Sequence, residues 1–392
     1  MCSMVLLVNL ARVVFAPLLE PLRTQFDVSA TAIGLLATLV WLGSALPRLP
    51  TGYLLTRVPR HAIIIAAGAL LTISPIFAAT AASLRVLWAS AFVMGISSGM
   101  YFIAAKPLLS DLFPQRIGGA IGLHGTASQL ASAGAPLFVT VVLFVSGWQI
   151  VFYLISAAAA VATLAFVMVT RRTEVPTGQK GDHDFLEAAR REWPIILSGI
   201  VLAGFAGLTW NGVFNFYVSY LITAKAIPES TARVLLSVAF AAGVIAFTVT
   251  GRLADRVAYV PLLLSIVGVF AGCVLVFTMA TGFLQLAAVS IALGFLFYSL
   301  MPTIDTYVLD SLPGVHRASA YAVFSASFML LNALGSVIMG LFLDNGYTYT
   351  TVFRLFGVCM LVFTLVLAGV HLTIGFPTGR SSRQKTDHPE TS

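Results

Sequence analysis

The sequence predicts an all-α membrane protein with twelve transmembrane helices, arranged as two six-helix bundles that repeat each other in parallel orientation. Three observations lead to this prediction: an apolar composition, twelve long apolar runs, and an internal repeat displaced by 199 residues. The composition decides the class of protein, and the runs and the repeat decide its architecture.

The composition is that of a membrane protein. Of the 392 residues, 59% are hydrophobic and 9% are charged, and the mean hydropathy is +0.96. Soluble domains carry about 25% charged residues, so this chain lacks the side chains for a surface that faces water. The composition therefore excludes a nuclear, secreted or ordinary cytosolic protein. The net charge of +7 would suit nucleic acid, but the basic residues are placed as membrane topology requires, and we expect no nucleic-acid partner.

Twelve apolar runs are long enough to be membrane spans, since a helix needs about 20 residues to cross a bilayer. A transmembrane β-barrel would instead need short segments of alternating polarity. The first run carries Arg12 in its middle and follows no basic segment, which favours a membrane helix over a cleaved signal peptide. The predicted spans, numbered in chain order, cover residues 4–22, 31–54, 62–82, 85–107, 119–144, 149–170, 195–222, 231–251, 259–280, 284–308, 317–342 and 350–374.

A polar segment near the middle divides the chain. We predict an N-terminal six-helix bundle at 1–170, a cytoplasmic linker at 171–193, a C-terminal six-helix bundle at 194–375 and a cytoplasmic tail at 376–392. The linker is expected to hold a short amphipathic surface helix at 184–191.

Lysine and arginine are concentrated on one set of connections. The connections that share a side with the N-terminus hold most of them, including Arg57, Arg116 and Arg171, whereas the opposite connections hold few. Because basic loops remain in the cytoplasm, both termini are predicted to be cytoplasmic. We expect a multi-pass protein in the plasma membrane of a prokaryote.

The internal repeat predicts two related halves. An axis along the membrane normal would relate them, and a binding site would lie between them near the bilayer midplane. Three pairs of segments match at the same displacement: 51–58 (TGYLLTRV) with 250–257 (TGRLADRV), Asp111 and Pro114 with Asp310 and Pro313, and Ala127-Ser128 with Ala326-Ser327.

The segment 251–256, GRLADR, resembles the G-x-L-x-D-R signature that the major facilitator superfamily carries between its eighth and ninth helices. The first-half copy at 52–57 has Thr56 where the family usually has Asp. With the twelve spans, the central linker and the loop at 111–114 (DLFP), the resemblance extends over essentially the whole chain. It implies the fold of that superfamily, transport by alternating access, and a central cavity lined by spans 1, 4, 7 and 10.

The resemblance also implies a cytoplasmic latch that holds the inward-closed state. In such a latch a carboxylate caps a helix N-terminus, and in the first half Arg57 or Arg60 would pair with Asp111. The alternative is that these charges follow the positive-inside rule and face water. The predicted latch comprises Gly52, Arg57, Asp111, Gly251, Asp255, Arg256 and Asp310.

Five ionisable residues lie within the apolar spans, where they are costly and usually face a cavity or a partner. Arg12 lies near mid-depth, beyond easy reach of water, and its planar donor fork suits a carboxylate or a phosphate. It needs an anion from the protein or from a substrate, or else an internal bond to backbone carbonyls or Asn9. The other four are Glu20, Arg48, Lys106 and Asp305.

Substrate-binding residues are predicted around Arg12. Its repeat counterpart is Asn211 in span 7, and Asn215 lies one turn further along the same face. The asparagines would converge on the cavity with Arg12, or would instead form helix-packing hydrogen bonds. Tyr101 and Tyr298 lie on cavity helices and are predicted to contact the substrate, although aromatic residues on any membrane helix also serve in packing.

Lys106 and Asp305 are one repeat apart and carry opposite charges, about a turn from the cytoplasmic end of their helices. They would meet as a gate across the inner mouth when the cavity opens outward, with Asp305 also able to carry a proton. The alternative is that both reach the cytoplasm directly. Glu20 is either a proton acceptor or a boundary residue, and Arg48 is expected to reach the inner headgroups.

Nothing in the sequence indicates an enzyme, a cofactor or a metal. It has no phosphate-binding glycine loop, no metal-ligand spacing and no nucleophile at motif distance from a base. The leading hypothesis is a monomeric secondary active transporter, a symporter or an antiporter, that moves a small solute through the lipid bilayer. Arg12 favours an organic anion, and protons are the candidate coupling ion. A multidrug efflux transporter and a non-transporting membrane protein remain as alternatives.

Overall fold

A computed structural model describes residues 1–113, 115–172, 185–254, 257–313 and 316–377, with the backbone alone at 117, 118, 247, 248, 251, 252 and 254. Within these residues twelve helices are long and apolar enough to cross a membrane, which confirms the predicted number and positions of the spans. Spans 1 to 12 are Cys2–Phe26, Ala30–Leu54, Arg60–Ala79, Leu84–Leu112, Ile117–Val145, Trp148–Arg172, Phe185–Lys225, Glu229–Ala254, Tyr259–Met279, Phe283–Ser311, Arg317–Asp344 and Tyr349–Thr373.

Three spans are interrupted. Span 1 consists of Cys2–Val13 and Phe15–Phe26, and span 2 of Ala30–Ala45 and Arg48–Leu54, because Pro17 and Pro50 cannot donate the backbone hydrogen bond of the helix. Span 7 is interrupted at Phe216, between Phe185–Asn215 and Tyr217–Lys225. Spans 1 and 7 are repeat counterparts, so the first helix of each half is interrupted, at positions that differ by three residues in the repeat alignment.

The twelve spans form two bundles that face each other. Spans 1 to 6 pack mainly among themselves, as do spans 7 to 12, and the most extensive contacts between the halves join span 2 to span 11 and span 5 to span 8. We call the end of the molecule that holds residues 1, 172 and 185 the linker end, and the opposite end the far end. The interface between the halves has a different character at each end.

At the far end the backbones of spans 2 and 11 are in direct contact. A Cβ atom on Gly34 would lie 2.5 Å from the carbonyl oxygen of Ser336, and one on Gly340 would lie 2.5 Å from that of Ala30. Real Cβ atoms do not approach backbone this closely, so only glycine permits the approach. The two halves are therefore closed against each other at the far end.

Asp344, the last residue of span 11, strengthens this closure. Its carboxylate accepts hydrogen bonds of 2.9 Å from the backbone N–H groups of both Ala30 and Thr31, at the start of span 2. A carboxylate is unfavourable at the C-terminus of its own helix but favourable at the N-terminus of another. Asp344 therefore caps a helix of the opposite half.

The linker prediction needs a correction. Residues 185–193 do not form a separate surface helix, because the helix that begins at Phe185 continues without interruption through Pro194 to Asn215. The Phe185 ring lies against Gly52 of span 2, where a Cβ would be 3.0 Å from the ring, and Ala188 is fully buried. The apolar face of this segment packs on the rest of the protein. It does not lie on the membrane surface, as the prediction of an amphipathic surface helix assumed. The domain boundaries themselves stay a prediction.

We predict that Gly340→Val opens the far end, because the added side chain must push span 11 away from the backbone of span 2. Spin labels on cysteines that replace Ala82 and Thr281, in far-end loops of the two halves, measure the separation in a background without the native cysteines. The distance should increase in the variant. Gly272→Val is the matched control, since nothing lies within 4 Å of a Cβ at that site, and an equal change in both variants would contradict the assignment.

A smaller change is expected for Asp344→Ala in the same labelled protein. Loss of a helix-capping side chain costs about 1 kcal/mol, which is about a fivefold shift of the equilibrium toward far-end-open molecules. Asn345→Ala serves as the control, because the Asn345 side chain donates only to Leu341 of its own helix end. An unchanged distance distribution for Asp344→Ala would show that the cap does not hold the halves together.

Candidate functional site

A cavity of about 280 Å³ lies between the two halves. It is lined by spans 1, 2, 4 and 5 of the first half and by spans 7, 8, 10 and 11 of the second. The first half contributes Asn9, Arg12, Val13, Trp41, Arg48, Lys106, Ser128, Gln129 and Ser132. The second half contributes Trp210, Phe214, Phe240, Phe297, Tyr298, Met301, Ile304, Asp305, Tyr321, Phe324, Ser325, Phe328, Met329 and Asn332.

The cavity extends toward the linker end. Lys106, six residues before the end of span 4, lines it with an exposed side chain, and Asp305 lines it half-buried. Among the described residues, nothing lies within 4 Å of a Cβ on Gly119, Gly122 or Gly125 in the linker-end part of span 5. With the far end closed and Lys106 exposed, the described residues leave the linker end as the accessible side of the cavity.

Arg12 is the central polar group of the cavity. Its guanidinium Cζ lies 4.5 Å from the ring centroid of Trp41 and 5.1 Å from that of Phe102, and one terminal nitrogen donates a 2.6 Å hydrogen bond to Asn9 Oδ1. Its Nε is buried without a hydrogen-bond partner. Among the described residues Arg12 forms no ion pair, since no carboxylate oxygen lies within 4.0 Å of its nitrogens.

Asn9 fixes the position of Arg12. The Asn9 amide nitrogen donates to the Ser128 carbonyl oxygen and to Ser132 Oγ, each at 2.7 Å. Both acceptors belong to span 5, so the amide is oriented with its oxygen toward Arg12. The internal bond to Asn9 that the sequence analysis considered is present, but it supplies a neutral acceptor and leaves the positive charge without an anion.

Tyr298 approaches the same network from the second half. It lines the cavity, its hydroxyl interacts with Ser132, and it lies within electrostatic range of Arg12. Its ring packs on Gly243 of span 8. The structure therefore brings together Arg12 and Tyr298, two of the five predicted substrate-binding residues.

Asn211 and Asn215 do not line the cavity. Ser336 Oγ of span 11 donates to Asn211 Oδ1 at 2.7 Å and accepts from Asn215 Nδ2 at 2.8 Å, so both asparagines serve in helix packing. Their chain neighbours Trp210 and Phe214 face the cavity instead. One residue along a helix is a rotation of about 100°, which turns the asparagines toward span 11.

Tyr101 is also absent from the cavity. Its hydroxyl lies 2.9 Å from His124 Nε2 and 3.0 Å from the Met1 carbonyl oxygen, and its side chain is fully buried within the first half. The neighbouring Phe102 is the residue that contacts Arg12. The same rotation by one residue accounts for this correction.

Arg48 does not reach the headgroups. It lines the cavity, its Nη1 donates a 2.5 Å hydrogen bond to Ser325 Oγ of the opposite half, and its Nε donates to the Ser44 carbonyl oxygen at 3.3 Å. Arg48 thus bridges the halves between the cavity and the linker end. The headgroup interpretation failed because it considered only depth in the membrane and not which face of span 2 the residue occupies.

Asp305 accepts a 2.8 Å hydrogen bond from the Tyr321 hydroxyl and lies within electrostatic range of Arg48 and Lys106. The structure brings Lys106 and Asp305 to the same cavity without an ion pair between them. This arrangement is the one expected while the linker end is open, because the predicted gate would form only in the opposite state. The gate itself stays a prediction.

Glu20 lies at the far end, outside the cavity. Its carboxylate accepts a 2.7 Å hydrogen bond from Ser219 Oγ of span 7 and lies 4.0 Å from Arg23. Close by, Arg233 Nε of span 8 donates to the Pro17 carbonyl oxygen at 3.3 Å. Glu20 therefore belongs to the contacts that close the far end, and its role as a proton acceptor or a boundary residue stays a prediction.

The predicted latch is described only in part. Asp111 forms an ion pair with Arg60, not with Arg57, whose guanidinium lies over the ring of Tyr53 at the end of span 2, 4.8 Å from its centroid. Asp310 accepts a 3.3 Å hydrogen bond from the Tyr259 hydroxyl, and Gly52 lies against the ring of Phe185. Asp255 and Arg256 lie outside the described residues, as do the side-chain surroundings of Gly251, so the second-half latch stays a prediction.

Several cavity residues are polar but not ionisable, so the ionisable residues of the spans do not reveal them. Gln129 Oε1 and Asn332 Oδ1 are buried without hydrogen-bond partners and line the cavity, as Arg12 Nε does. A search for amides within apolar spans, which are also costly in a membrane, would have found Asn9, Gln129 and Asn332. Trp41 is neither ionisable nor an amide, so neither search would have found it.

The protein-family model for the Major Facilitator Superfamily matches residues 1–225 and 200–390. A curated relative, the uncharacterised MFS-type transporter YfhI of Bacillus subtilis strain 168, is 25% identical over 352 residues, which cover 86% of this chain and 84% of that protein.

Three solved transporter structures share the fold over nearly their full lengths. A bacterial homologue of the human lysosomal transporter Spinster, in an inward-facing and occupied conformation, gives a TM-score of 0.77 at 18% identity, covering 100% of this chain and 97% of its own. A POT family transporter bound to a thioalcohol-conjugated peptide gives 0.80 at 12% identity, covering 95% of each chain. A D-xylose–proton symporter gives 0.76 at 16% identity, covering 97% of each chain.

These matches agree with the GRLADR segment, the internal repeat, the twelve spans and a cavity between two bundles. The family model accounts for both halves of the sequence, and the fold of solved transporters accounts for the arrangement of the spans. The chain is a multi-pass membrane transporter and belongs to the major facilitator superfamily.

Proposed function

We propose that the protein is a secondary active transporter that moves a small organic anion across the plasma membrane by alternating access. The observation that carries this proposal is Arg12, a guanidinium at mid-depth with no carboxylate beside it among the described residues. An unpaired cation at this depth costs at least about 2.5 kcal/mol, and a bound anion would remove that cost.

The protein groups around Arg12 offset its cost only in part. Cation–π contacts with Trp41 and Phe102 contribute about 0.5–2 kcal/mol each, and the neutral Asn9 oxygen accepts one of five possible hydrogen bonds. The remaining donors fit the two oxygens of a carboxylate or phosphate. Arg12 is thus held in place by neutral groups and left available for an anionic solute.

The charge of the whole cavity supports the same proposal. Arg12, Arg48 and Lys106 line it, whereas Asp305 is the one acidic residue among its lining residues. A cleft with an excess of one charge raises the local concentration of the opposite ion. An anion is therefore favoured over a cation or a neutral sugar.

The distribution of basic residues supports a cytoplasmic linker end, so the accessible side of the cavity would face the cytoplasm. Alternating access then requires the far end to open while the linker end closes. Lys106 and Asp305 come from opposite halves and lie where the linker end would close, next to the contact between Arg48 and Ser325 that already joins the halves. We propose Asp305 as the proton-carrying group, because it is half-buried and is the one acidic residue among the lining residues of the cavity.

A multidrug efflux transporter is the second candidate. The observation in its favour is the number of aromatic residues on the second-half wall of the cavity, among them Trp210 and Phe297. The excess of positive charge opposes the export of cationic drugs. We propose that a single copy transports its solute, without enzymatic activity or a cofactor.

Replacement of Arg12 tests the anion proposal. In proteoliposomes supplied with a panel of carboxylates and phosphate esters, Arg12→Gln should lower kcat/KM for the transported anion by about tenfold or more, because a charge-assisted bidentate contact is lost. The matched control is Arg116→Gln, an exposed arginine at the linker end. Equal transport by wild type and Arg12→Gln would remove the basis of the proposal.

Replacement of Asp305 tests proton coupling. Asp305→Asn should abolish accumulation driven by an imposed pH gradient while retaining exchange of labelled for unlabelled solute, because exchange needs binding but no net proton movement. Asp27→Asn is the control, since this exposed far-end residue has a φ of 47°, which asparagine also adopts. Accumulation that persists in Asp305→Asn would assign coupling to another group.

A further inference from the structure

We propose that the transported anion is amphipathic: a small carboxylate with a flat apolar body, whose head binds the first half and whose body binds the second. This inference rests on the proposed function and specifies the substrate class of the same cavity. It is carried by a chemical difference between the two walls of the cavity.

The first-half wall is polar and cationic. Seven of its nine lining residues are polar, and three of these are Arg12, Arg48 and Lys106, without an acid. The head-binding region lies where spans 1 and 5 meet. There Asn9 orients the Arg12 guanidinium, and the Arg12 Nε–H donor is buried without a partner. A carboxylate is the small group that matches the guanidinium geometry.

The second-half wall is aromatic at the level of Arg12. The Trp210 and Phe297 rings are stacked with centroids 4.6 Å apart and an interplanar angle of 13°. Phe214 and Phe240 meet edge to face at 5.7 Å, and the Phe240 centroid lies 6.2 Å from that of Trp210. Such pairs contribute about 0.5–1.5 kcal/mol each, so they hold one another in fixed orientations and form a preorganised apolar surface.

The buried aromatic rings are part of the cavity and not only of the core behind it. Trp210, Phe214, Phe240 and Phe297 are each less than a tenth exposed, yet all four line the cavity. A planar apolar group in contact with these rings would remove its own apolar surface, and the small part of the rings that is still exposed, from water. This burial is favourable by about 25 cal/mol for each Å², and an inorganic anion or a fully polar metabolite would not gain it.

The size of the cavity limits the body of the solute. Its volume of about 280 Å³ lies at the lower end of ligand pockets, which measure about 300–1,000 Å³. A single ring with a carboxylate is of this order, whereas a peptide or a two-chain lipid is not.

The two walls belong to different halves, and this explains why one molecule must carry both groups. A small anion without a body contacts mainly the first half, and a neutral aromatic molecule contacts mainly the second, although Tyr298 lies beside Arg12 and Trp41 lies beside Phe214. A solute with both groups contacts both halves at once, so that its binding energy is available to draw the linker-end parts of spans 2 and 11 together. The same contacts with both halves would then give specificity for an amphipathic anion and stabilise the closed linker end.

Binding of three small probes to the purified full chain tests the inference. Benzoate has the head and the body, acetate has the head alone, and benzamide has the body with a neutral head of the same shape. In isothermal titration calorimetry at millimolar probe concentrations, benzoate should bind about tenfold or more tightly than either acetate or benzamide. Acetate binding as tightly as benzoate, or no binding of benzoate, would overturn the inference.

Two variants assign the contacts. Phe297→Leu should weaken benzoate binding about tenfold and leave the weaker acetate binding unchanged, whereas Arg12→Gln should make benzoate and benzamide equal. Phe356→Leu is the matched control, a buried phenylalanine of span 12 outside the cavity, and a thermal unfolding scan of both phenylalanine variants detects loss of the fold. Benzoate binding that is the same in Phe297→Leu as in Phe356→Leu would contradict the aromatic contact.

The outcomes separate this inference from the proposed function. If Arg12→Gln lowers the transport of some anion while acetate and benzoate bind alike, anion transport stands and the amphipathic class is wrong. If benzamide binds as tightly as benzoate and Arg12→Gln changes neither, the anion site itself is wrong and both proposals fail.

Discussion

The cost of placing a guanidinium in the middle of a bilayer is the constraint on which the rest of this site depends. Arg12 is held between Trp41 and Phe102 and is hydrogen-bonded to Asn9, which span 5 orients in turn. These groups fix the cation without neutralising it. If Arg12 served stability alone, pairing it with a carboxylate of the protein or replacing it by leucine would stabilise the fold more. A cation that is left without a carboxylate, in a cavity between the two halves, is instead the arrangement that we expect of an anion-binding site.

The two ends of the molecule differ in how the halves are joined. At the far end the contact is backbone against backbone at Gly34 and Gly340, with Asp344 capping a helix of the opposite half. Near the linker end the halves meet through long side chains, such as Arg48 on Ser325. Side-chain contacts of this kind can be broken and remade without loss of a packed core. The alternating access that we propose would use this difference between the two ends.

The sequence predicted the fold well and the site only in part. Hydropathy and the repeat specify which residues are spans, because both depend on positions along the helix axis. A site also depends on rotation about that axis, which a repeat alignment alone does not determine. Arg12, Tyr298, Lys106 and Asp305 face the cavity as predicted, whereas Asn211, Asn215 and Tyr101 are each rotated away by about 100°. The prediction for Arg48 used only its depth in the membrane. Its contact with span 11 depends on how the two halves pack together, which the sequence does not specify.

The central claim is that Arg12 binds the anionic group of the solute. An experimental structure of the protein with a transported anion bound tests it most directly. The account predicts two anion oxygens within about 3 Å of the Arg12 guanidinium nitrogens, with Asn9 still bonded to span 5. A solute bound elsewhere in the cavity, or an Arg12 side chain that faces lipid, would contradict the account.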